Sequence, residues 1–235
     1  MEKDPAPLSV NDPEPERYYD WMLWKMRQEK IQTMDRIDKA EERMKLNNID
    51  WKEYTYRSID GKDLHTFDNL FDYNQREKLY SWMSSQKFNN MGQDTPRLEH
   101  RGDFNLYCQL NEDDVQHSQF WNCENTKYVL PLLDGYEQVQ ARINLSTLHD
   151  KNRFHCDTYG SDDVRTLLYY PNMEWSPEWG GYTLFTNKEG NKLEFCSFYE
   201  PGRVVIFDGT IPHCISAPSP GATAYRLSFV IQYAR

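Results

Sequence analysis

A mainly antiparallel β fold with helices towards its N-terminus is what this sequence predicts, and three observations predict it. Beyond about Phe104, short runs of Val, Ile, Leu, Tyr and Phe are punctuated by Gly, Pro, Asn and Asp, the texture of strands separated by turns. No helical stretches lie between those runs, which points to an antiparallel sandwich or barrel rather than to parallel βαβ units. Upstream, from about Glu14 to Asn48, Pro15 is the last helix breaker. There charges of both signs alternate with Trp21, Leu23, Met26, Ile31, Met34, Ile37 and Met44. That stretch predicts a long helix, although its apolar spacing is neither a clean 3.6-residue stripe nor a heptad.

In chain order, residues 1 to 13 hold Pro5, Pro7 and Pro13 among polar residues and are expected to be a mobile lead-in. With the long helix they make an extension over residues 1–50, whose helix could pack on the domain, pair with a second copy or stand partly exposed. Residues 51–235 form one domain, long enough to bury a core. That domain opens with a strand-like stretch, Trp51 to Ser58. A second helix is expected around Tyr73 to Ser85, with Leu79, Tyr80, Trp82 and Met83 on its apolar side. The clearest strands follow at Gln138–Leu145, Val164–Tyr170, Gly181–Thr186, Arg203–Phe207 and Tyr225–Tyr233. Residues Glu99 to Gln119, including Arg101, Asp103, Asn105 and Tyr107, alternate as a strand does and are read as a pocket wall.

Composition narrows the function. The chain has 235 residues, a formal charge of -10 and 14% aromatic residues. The aromatic content excludes a disordered chain. The acidic balance argues against nucleic-acid binding and against charge-driven attachment to an anionic membrane. No apolar run approaches the roughly 20 residues that span a bilayer, and no secretory signal is visible at the N-terminus. Cys108, Cys123, Cys156, Cys196 and Cys214 are odd in number, widely spaced and free of any C-x-x-C pair. Neither a disulfide framework nor a structural zinc site is expected, and reduced thiols point to a cytoplasmic protein. No Gly-rich phosphate loop occurs.

Metal chemistry must then come from histidine and carboxylate. Of the six histidines, position singles out two. His155-Cys156-Asp157 runs into the turn Thr158-Tyr159-Gly160-Ser161, and a strand period of two puts His155 and Asp157 on one side. His213 follows the run Arg203–Phe207 and the turn Asp208-Gly209, and opens another short strand. Two imidazoles and one carboxylate on one face of an ion leave three positions open, as in non-haem Fe(II) oxygenases. Thirteen positions after His213, Arg226 and Ser228 share one face of an apolar strand. An arginine held in such a strand is costly unless it meets an anion, and a guanidinium beside a hydroxyl is suited to gripping a carboxylate. A protein Asp or Glu could equally be that partner.

From His155 onward the chain resembles the Fe(II)/2-oxoglutarate-dependent oxygenases, most closely their prolyl 4-hydroxylase-like branch. The matching segments are His155-Cys156-Asp157, Leu167 to Asn172, Trp175, Gly180 to Phe185, Glu200 to Phe207, Pro212 to Ile215 and Arg226-Leu227-Ser228, in family order. Upstream, Phe67 to Phe71 resembles the family's leading segment. The resemblance implies a double-stranded β-helix, or jelly-roll, core. It implies His155, Asp157 and His213 as catalytic iron ligands. Arg226 and Ser228 are implied to hold the distal carboxylate of 2-oxoglutarate, and Tyr170 to place a hydroxyl on the same group.

The implied cofactors are Fe(II), 2-oxoglutarate as co-substrate and O2, with ascorbate as a supporting reductant. The implied reaction hydroxylates a C–H bond of a prolyl residue or a free amino acid and converts 2-oxoglutarate to succinate and CO2. Expected partners are therefore 2-oxoglutarate and a peptide or amino-acid substrate, with a homo-oligomer conceivable through the N-terminal helix. Two positions depart from the branch. Relatives often have Lys at Arg226, and usually a tyrosine shortly before the H-x-D pair, where this chain reads Arg142-Ile143-Asn144-Leu145-Ser146. Asp157 argues against the halogenase variants. The competing readings are a non-catalytic, cupin-like jelly-roll binding protein and a nucleic-acid base-demethylating oxygenase.

Overall fold

The computed structural model describes residues 42, 44, 45, 49–90, 106–148, 150, 153–158 and 160–235. The long helix expected over Glu14 to Asn48 lies outside them, apart from residues 42, 44 and 45, which are helical. Eleven strands follow in the described residues: β1 (Tyr54–Ile59), β2 (Lys62–Phe67), β3 (Asn89–Asn90), β4 (Leu106–Leu110), β5 (Glu137–Ser146), β6 (Val164–Tyr169), β7 (Thr183–Thr186), β8 (Leu193–Ser197), β9 (Val204–Asp208), β10 (His213–Ile215) and β11 (Arg226–Ala234). Among the described residues two α-helices, α1 (Tyr73–Ser84) and α2 (Glu112–His117), and four short 3-10 turns join them. Eight strands form one sheet in the order β1-β2-β9-β6-β11-β5-β4-β3, and three form a second in the order β10-β7-β8. Every pairing is antiparallel, as the absence of helices between the runs requires.

Alternation along β11 explains how the large sheet is buried on both faces. Leu227, Phe229, Ile231 and Tyr233 join a core with Phe67, Leu79, Met83, Phe120, Ile143, Leu167 and Tyr169. On the opposite face Val230 packs with Leu168, Val205 and Phe207 of the same sheet and Phe185 of β7. Each fully buried side chain of this kind contributes roughly 1.5–3 kcal/mol relative to exposure. The candidate site residues Arg226 and Ser228 lie on this second face, between the two sheets.

Helix α1 closes the first face from behind. Asp72 caps it in a capping box: Gln75 N–H donates to Asp72 Oδ1 at 2.8 Å, and Asp72 N–H donates to Gln75 Oε1 at 2.9 Å. Leu79 and Met83, four apart, are its buried residues, while Tyr80 and Trp82 are only half-buried. Residues 112–117 correct the strand-like reading of Glu99 to Gln119. They form α2 because the Asn111 side chain accepts from Asp114 N–H at 2.8 Å and three acidic residues fill the first turn. Among the described residues of that stretch, Leu106–Leu110 is strand, and Arg101, Asp103 and Asn105 lie outside the described residues.

Candidate metal centre and carboxylate anchor

His155 and His213 are held face to face by the backbone. The two residues exchange both N–H···O=C bonds, at 3.0 and 2.9 Å, in an isolated antiparallel bridge that extends the small sheet past β10. Their rings lie 4.5 Å apart between centroids. Two residues on, Asp157 N–H donates to Gly209 O at 2.7 Å. That approach requires glycine, since a Cβ at 209 would sit 2.6 Å from Asp157 O. His155 and Asp157 therefore share a side, as the period of two predicts, although only His155 is laddered.

The donor atoms converge. His155 Nε2 lies 3.7 Å from Asp157 Oδ1, and His213 Nε2 lies 3.5 Å from Asp157 Oδ2. The three ligand atoms fall within 4.8 Å of one another. Two donors each about 2.1 Å from one ion lie about 3–4 Å apart, so this spacing fits a single divalent metal. The ring nitrogens are also set for it. His155 Nδ1 lies 3.0 Å from Arg153 O, and His213 Nδ1 lies 2.9 Å from Ile211 O. A carbonyl can only accept, so each Nδ1 carries the proton and each Nε2 offers its lone pair. Cys156 points elsewhere, its thiol donating to Thr210 O at 3.4 Å. Two imidazoles and a carboxylate without thiolate suit Fe(II) better than a structural zinc.

Electrostatics keeps the ligands in their binding forms. Burial works to raise the Asp157 carboxyl. The His213 ring, the Thr166 hydroxyl, His155 and the Gln232 side chain outweigh it and hold the group below the usual carboxylate range. Burial pushes the His213 imidazole down to about 4, against the pull of Asp157. At neutral pH the pair is thus an anion beside a neutral ring. His155 is the exposed member, with half of its side chain open to solvent (50%) against 6% for Asp157 and 8% for His213.

Thr166 Oγ1 donates to Asp157 Oδ2 at 2.7 Å and orients the carboxylate from behind. Thr166→Val keeps the shape and deletes this donor. It is expected to weaken Mn(II) binding by about 10-fold or more, within the range for outer partners of metal ligands, as read by calorimetry on metal-free protein.

At the far end of the same face of β11, Arg226 is fully buried. Its Nε donates to Gly181 O at 2.7 Å, and its Nη2 lies 3.4 Å from Thr183 Oγ1. The rings of Tyr199 and Tyr170 flank the guanidinium at 5.0 and 5.4 Å. Among the described residues no carboxylate forms an ion pair with it. Arg226 Nη1 and Ser228 Oγ are both buried without a hydrogen-bond partner. Burial pulls this guanidinium below its usual range, opposed by Tyr170, Tyr199 and Asp150. A buried guanidinium nitrogen and a buried hydroxyl, both without a partner and two residues apart in sequence, are a fit for an incoming carboxylate.

The surroundings fix Arg226 in place. Asn172 brackets it, donating from Nδ2 to Tyr225 O at 2.9 Å and accepting at Oδ1 from Leu227 N–H at 2.9 Å. Gly181, at φ +73°, leaves room for the side chain, since a Cβ there would lie 2.9 Å from Arg226 Cδ.

Tyr170 lies on the Arg226 face, and Tyr169 on the other among Phe71 and Phe120. The Tyr170 hydroxyl, however, bonds Thr183 Oγ1 at 2.8 Å and lies 3.2 Å from Ser197 Oγ. Of the remaining histidines, His65 is buried against the Tyr54 hydroxyl and His117 ends α2. His100 and His149 lie outside the described residues.

Sequence reasoning missed Thr166 and Gln232, the partners of Asp157, and Asn172 as the bracket of Arg226. Alternation could have found the first two. Thr166 shares one face of β6 with Leu168, a face that Tyr170 continues just past the strand, and Gln232 continues the Arg226-Ser228-Val230 face of β11.

No protein-family profile matches the chain, and no curated protein matches it in sequence. Solved structures do match in fold. A prolyl-4-hydroxylase from Pseudomonas putida superposes with a TM-score of 0.54 at 15% identity, over 73% of this chain and 92% of that one. A prolyl hydroxylase from Trichoplax adhaerens, solved with a peptide of the hypoxia inducible factor oxygen degradation domain, gives 0.51 at 15% identity over 90% and 92%. HygX from Streptomyces hygroscopicus, solved with nickel and 2-oxoglutarate, gives 0.54 at 13% identity over 73% and 82%. The chain therefore shares the jelly-roll fold of these oxygenase structures, as the sequence resemblance implies. Among the described residues no helix is long and apolar enough to cross a membrane.

Proposed function

We propose that this chain is an Fe(II)- and 2-oxoglutarate-dependent dioxygenase that hydroxylates a C–H bond of a prolyl residue or free amino acid. Residues 51–235 form its catalytic domain, acting in the cytoplasm. One observation carries the reading: a single face of β11 runs from an unsatisfied Arg226–Ser228 pair to Gln232 beside the Asp157 triad. A dicarboxylic acid has two ends to satisfy, and this face offers a cation at one end and a metal site at the other.

In this reading His155, Asp157 and His213 hold the iron from one side. Thr166 and Gln232 keep the Asp157 carboxylate aimed, and the Arg153 and Ile211 carbonyls keep both rings in the ligating tautomer. Arg226 and Ser228 take the distal carboxylate of 2-oxoglutarate. Tyr170 lends its ring to the guanidinium and its hydroxyl to Thr183, which also neighbours Arg226 Nη2. Burial of the anchor excludes water, so a carboxylate docked there meets an undiminished charge. Together, iron and 2-oxoglutarate supply oxidising power from O2, with succinate and CO2 as co-products and one oxygen atom delivered to substrate.

The test is calorimetry with 2-oxoglutarate, with and without Mn(II), followed by succinate release with Fe(II) and O2. Metal-dependent binding and succinate production are expected, with His155→Ala losing both. Binding that ignores the metal, or no binding, supports the cupin-like scaffold instead.

A further inference from the structure

Arg142 is a second arginine on the site's face, and neither the iron triad nor the anchor uses it. Its register partner across β5 and β11 is Val230, with Asn144 opposite Ser228 and Gln140 opposite Gln232. Side chains directly opposite on paired strands share a face, while the intervening Ala141 and Ile143 belong to the core behind. Arg142 is thus one strand to the side of the line from anchor to metal site, midway along it. Its charge is felt at the buried His213 ring.

Arg142 is half-buried, and its Nε is buried without a hydrogen-bond partner. Among the described residues none forms an ion pair or hydrogen bond with it. A partly desolvated guanidinium costs stability unless something binds it. Nor is its partner 2-oxoglutarate, on the reading above. One end of that acid is matched by Arg226 and Ser228 and the other by the metal.

We infer that Arg142 is the substrate-recognition residue of this site, and that the substrate presents a carboxylate to it. This rests on the oxygenase reading above. Three features match that chemistry. The guanidinium fork pairs with a carboxylate through two parallel hydrogen bonds. Its partial exposure leaves it reachable from solvent, unlike the fully buried Arg226. Among the described residues its neighbours on the inner face of β4 and β5 are neutral, Tyr107, Gln109, Gln140, Asn144 and Ser146, so that face offers one positive charge, suited to a monoanion. A free amino acid, or a peptide ending at the oxidised residue, fits. An internal prolyl residue has no carboxylate to present.

The experiment has two arms. Calorimetry measures Mn(II)-dependent 2-oxoglutarate binding to wild type, Arg142→Gln and Arg226→Met. Arg142→Gln is expected to stay within about threefold of wild type, whereas Arg226→Met loses about 100-fold or more. The second arm offers amino acids and N-acetyl amino acids, each paired with its primary amide, and reads succinate release and binding to the Mn(II)- and 2-oxoglutarate-loaded protein without O2. The carboxylate member should exceed its amide by about 100-fold in kcat/KM and in affinity, and Arg142→Gln should erase that gap. Arg142→Lys, which keeps the charge but not the fork, should restore part of it.

A panel in which no carboxylate exceeds its amide overturns the inference, as does a gap that survives in Arg142→Gln. A loss of 2-oxoglutarate affinity in Arg142→Gln as large as in Arg226→Met also overturns it, and moves Arg142 to the co-substrate. If wild type shows no metal-dependent 2-oxoglutarate binding, the oxygenase reading fails first and takes this one with it.

Discussion

Asp157→Ala is expected to weaken Mn(II) binding by at least about 100-fold, beyond the roughly 10–100-fold that loss of an outer partner costs. Calorimetry or electron paramagnetic resonance of Mn(II) added to metal-free protein would read it. Asp157 is the one anion of the three ligands, and the variant leaves two neutral imidazoles facing each other. Asp157→Asn keeps the volume and an oxygen for Thr166, yet deletes the charge, and should lose nearly as much. A variant that bound Mn(II) within threefold of wild type would remove the triad from consideration as a metal site.

The same residues set how the metal-free protein responds to acid. The folded His213 pKa of about 4 lies below its ordinary value of 6.5. Between those values the unfolded chain binds more protons than the folded one, so stability falls as pH falls through that window. Asp157 acts lower still. Its folded pKa is below 3.8, so the stability it contributes is present above that value and lost as pH falls through the folded pKa. Urea midpoints should therefore decline from pH 6.5 towards 4, and a midpoint that rose on acidification would contradict the burial of a neutral His213. Mn(II) should oppose the decline, because it binds only the deprotonated ligands.

How much of this was legible depends on whether the cause is local. His155 and Asp157 could be read together because a two-residue period is a property of any extended strand. Arg226 and Ser228 followed for the same reason, and the ends of β5, β6, β9 and β11 fall within a residue or so of where alternation sets them. β8 was not separated out, although Gly190 in the turn before it was a usable signal. β2 was missed and α2 misread, since Lys62–Phe67 mixes polar and apolar residues and the Asn111 cap competes with a strand-like run that holds only over Leu106–Leu110 among the described residues. What no local pattern carries is pairing. That Val230 faces Arg142, that Thr166 reaches Asp157 from nine residues away, and that Asn172 brackets Arg226 are consequences of register. The stretch Arg142 to Ser146 was noticed for the tyrosine it lacks, when its first residue was the informative one.

Arg226→Met is expected to leave the metal-free protein as stable as wild type or more so, while abolishing 2-oxoglutarate binding. The guanidinium is wholly buried, is flanked by two tyrosine rings and has one nitrogen without a partner. Desolvating such a charge costs several kcal/mol, and among the described residues no ion pair repays it, so an apolar side chain of similar length removes the cost. The hydrogen bond to Gly181 O is lost, worth about 1–3 kcal/mol at a charged donor, and this offsets part of the gain. Function runs the other way. An incoming carboxylate would find only Ser228 Oγ, and affinity should fall by more than about 100-fold, since truncating one partner of a buried charge pair costs roughly 2–5 kcal/mol. Thermal unfolding separates the two effects. With Mn(II) present, 2-oxoglutarate should raise the Tm of wild type by mass action and leave that of Arg226→Met unmoved, even where the variant starts higher. A variant that unfolds several degrees lower without ligand would instead mean that the guanidinium is held by the protein itself, and that the unpaired nitrogen is incidental. The sign of that unliganded shift decides whether Arg226 is kept for the fold or, at the fold's expense, for an anion that arrives later.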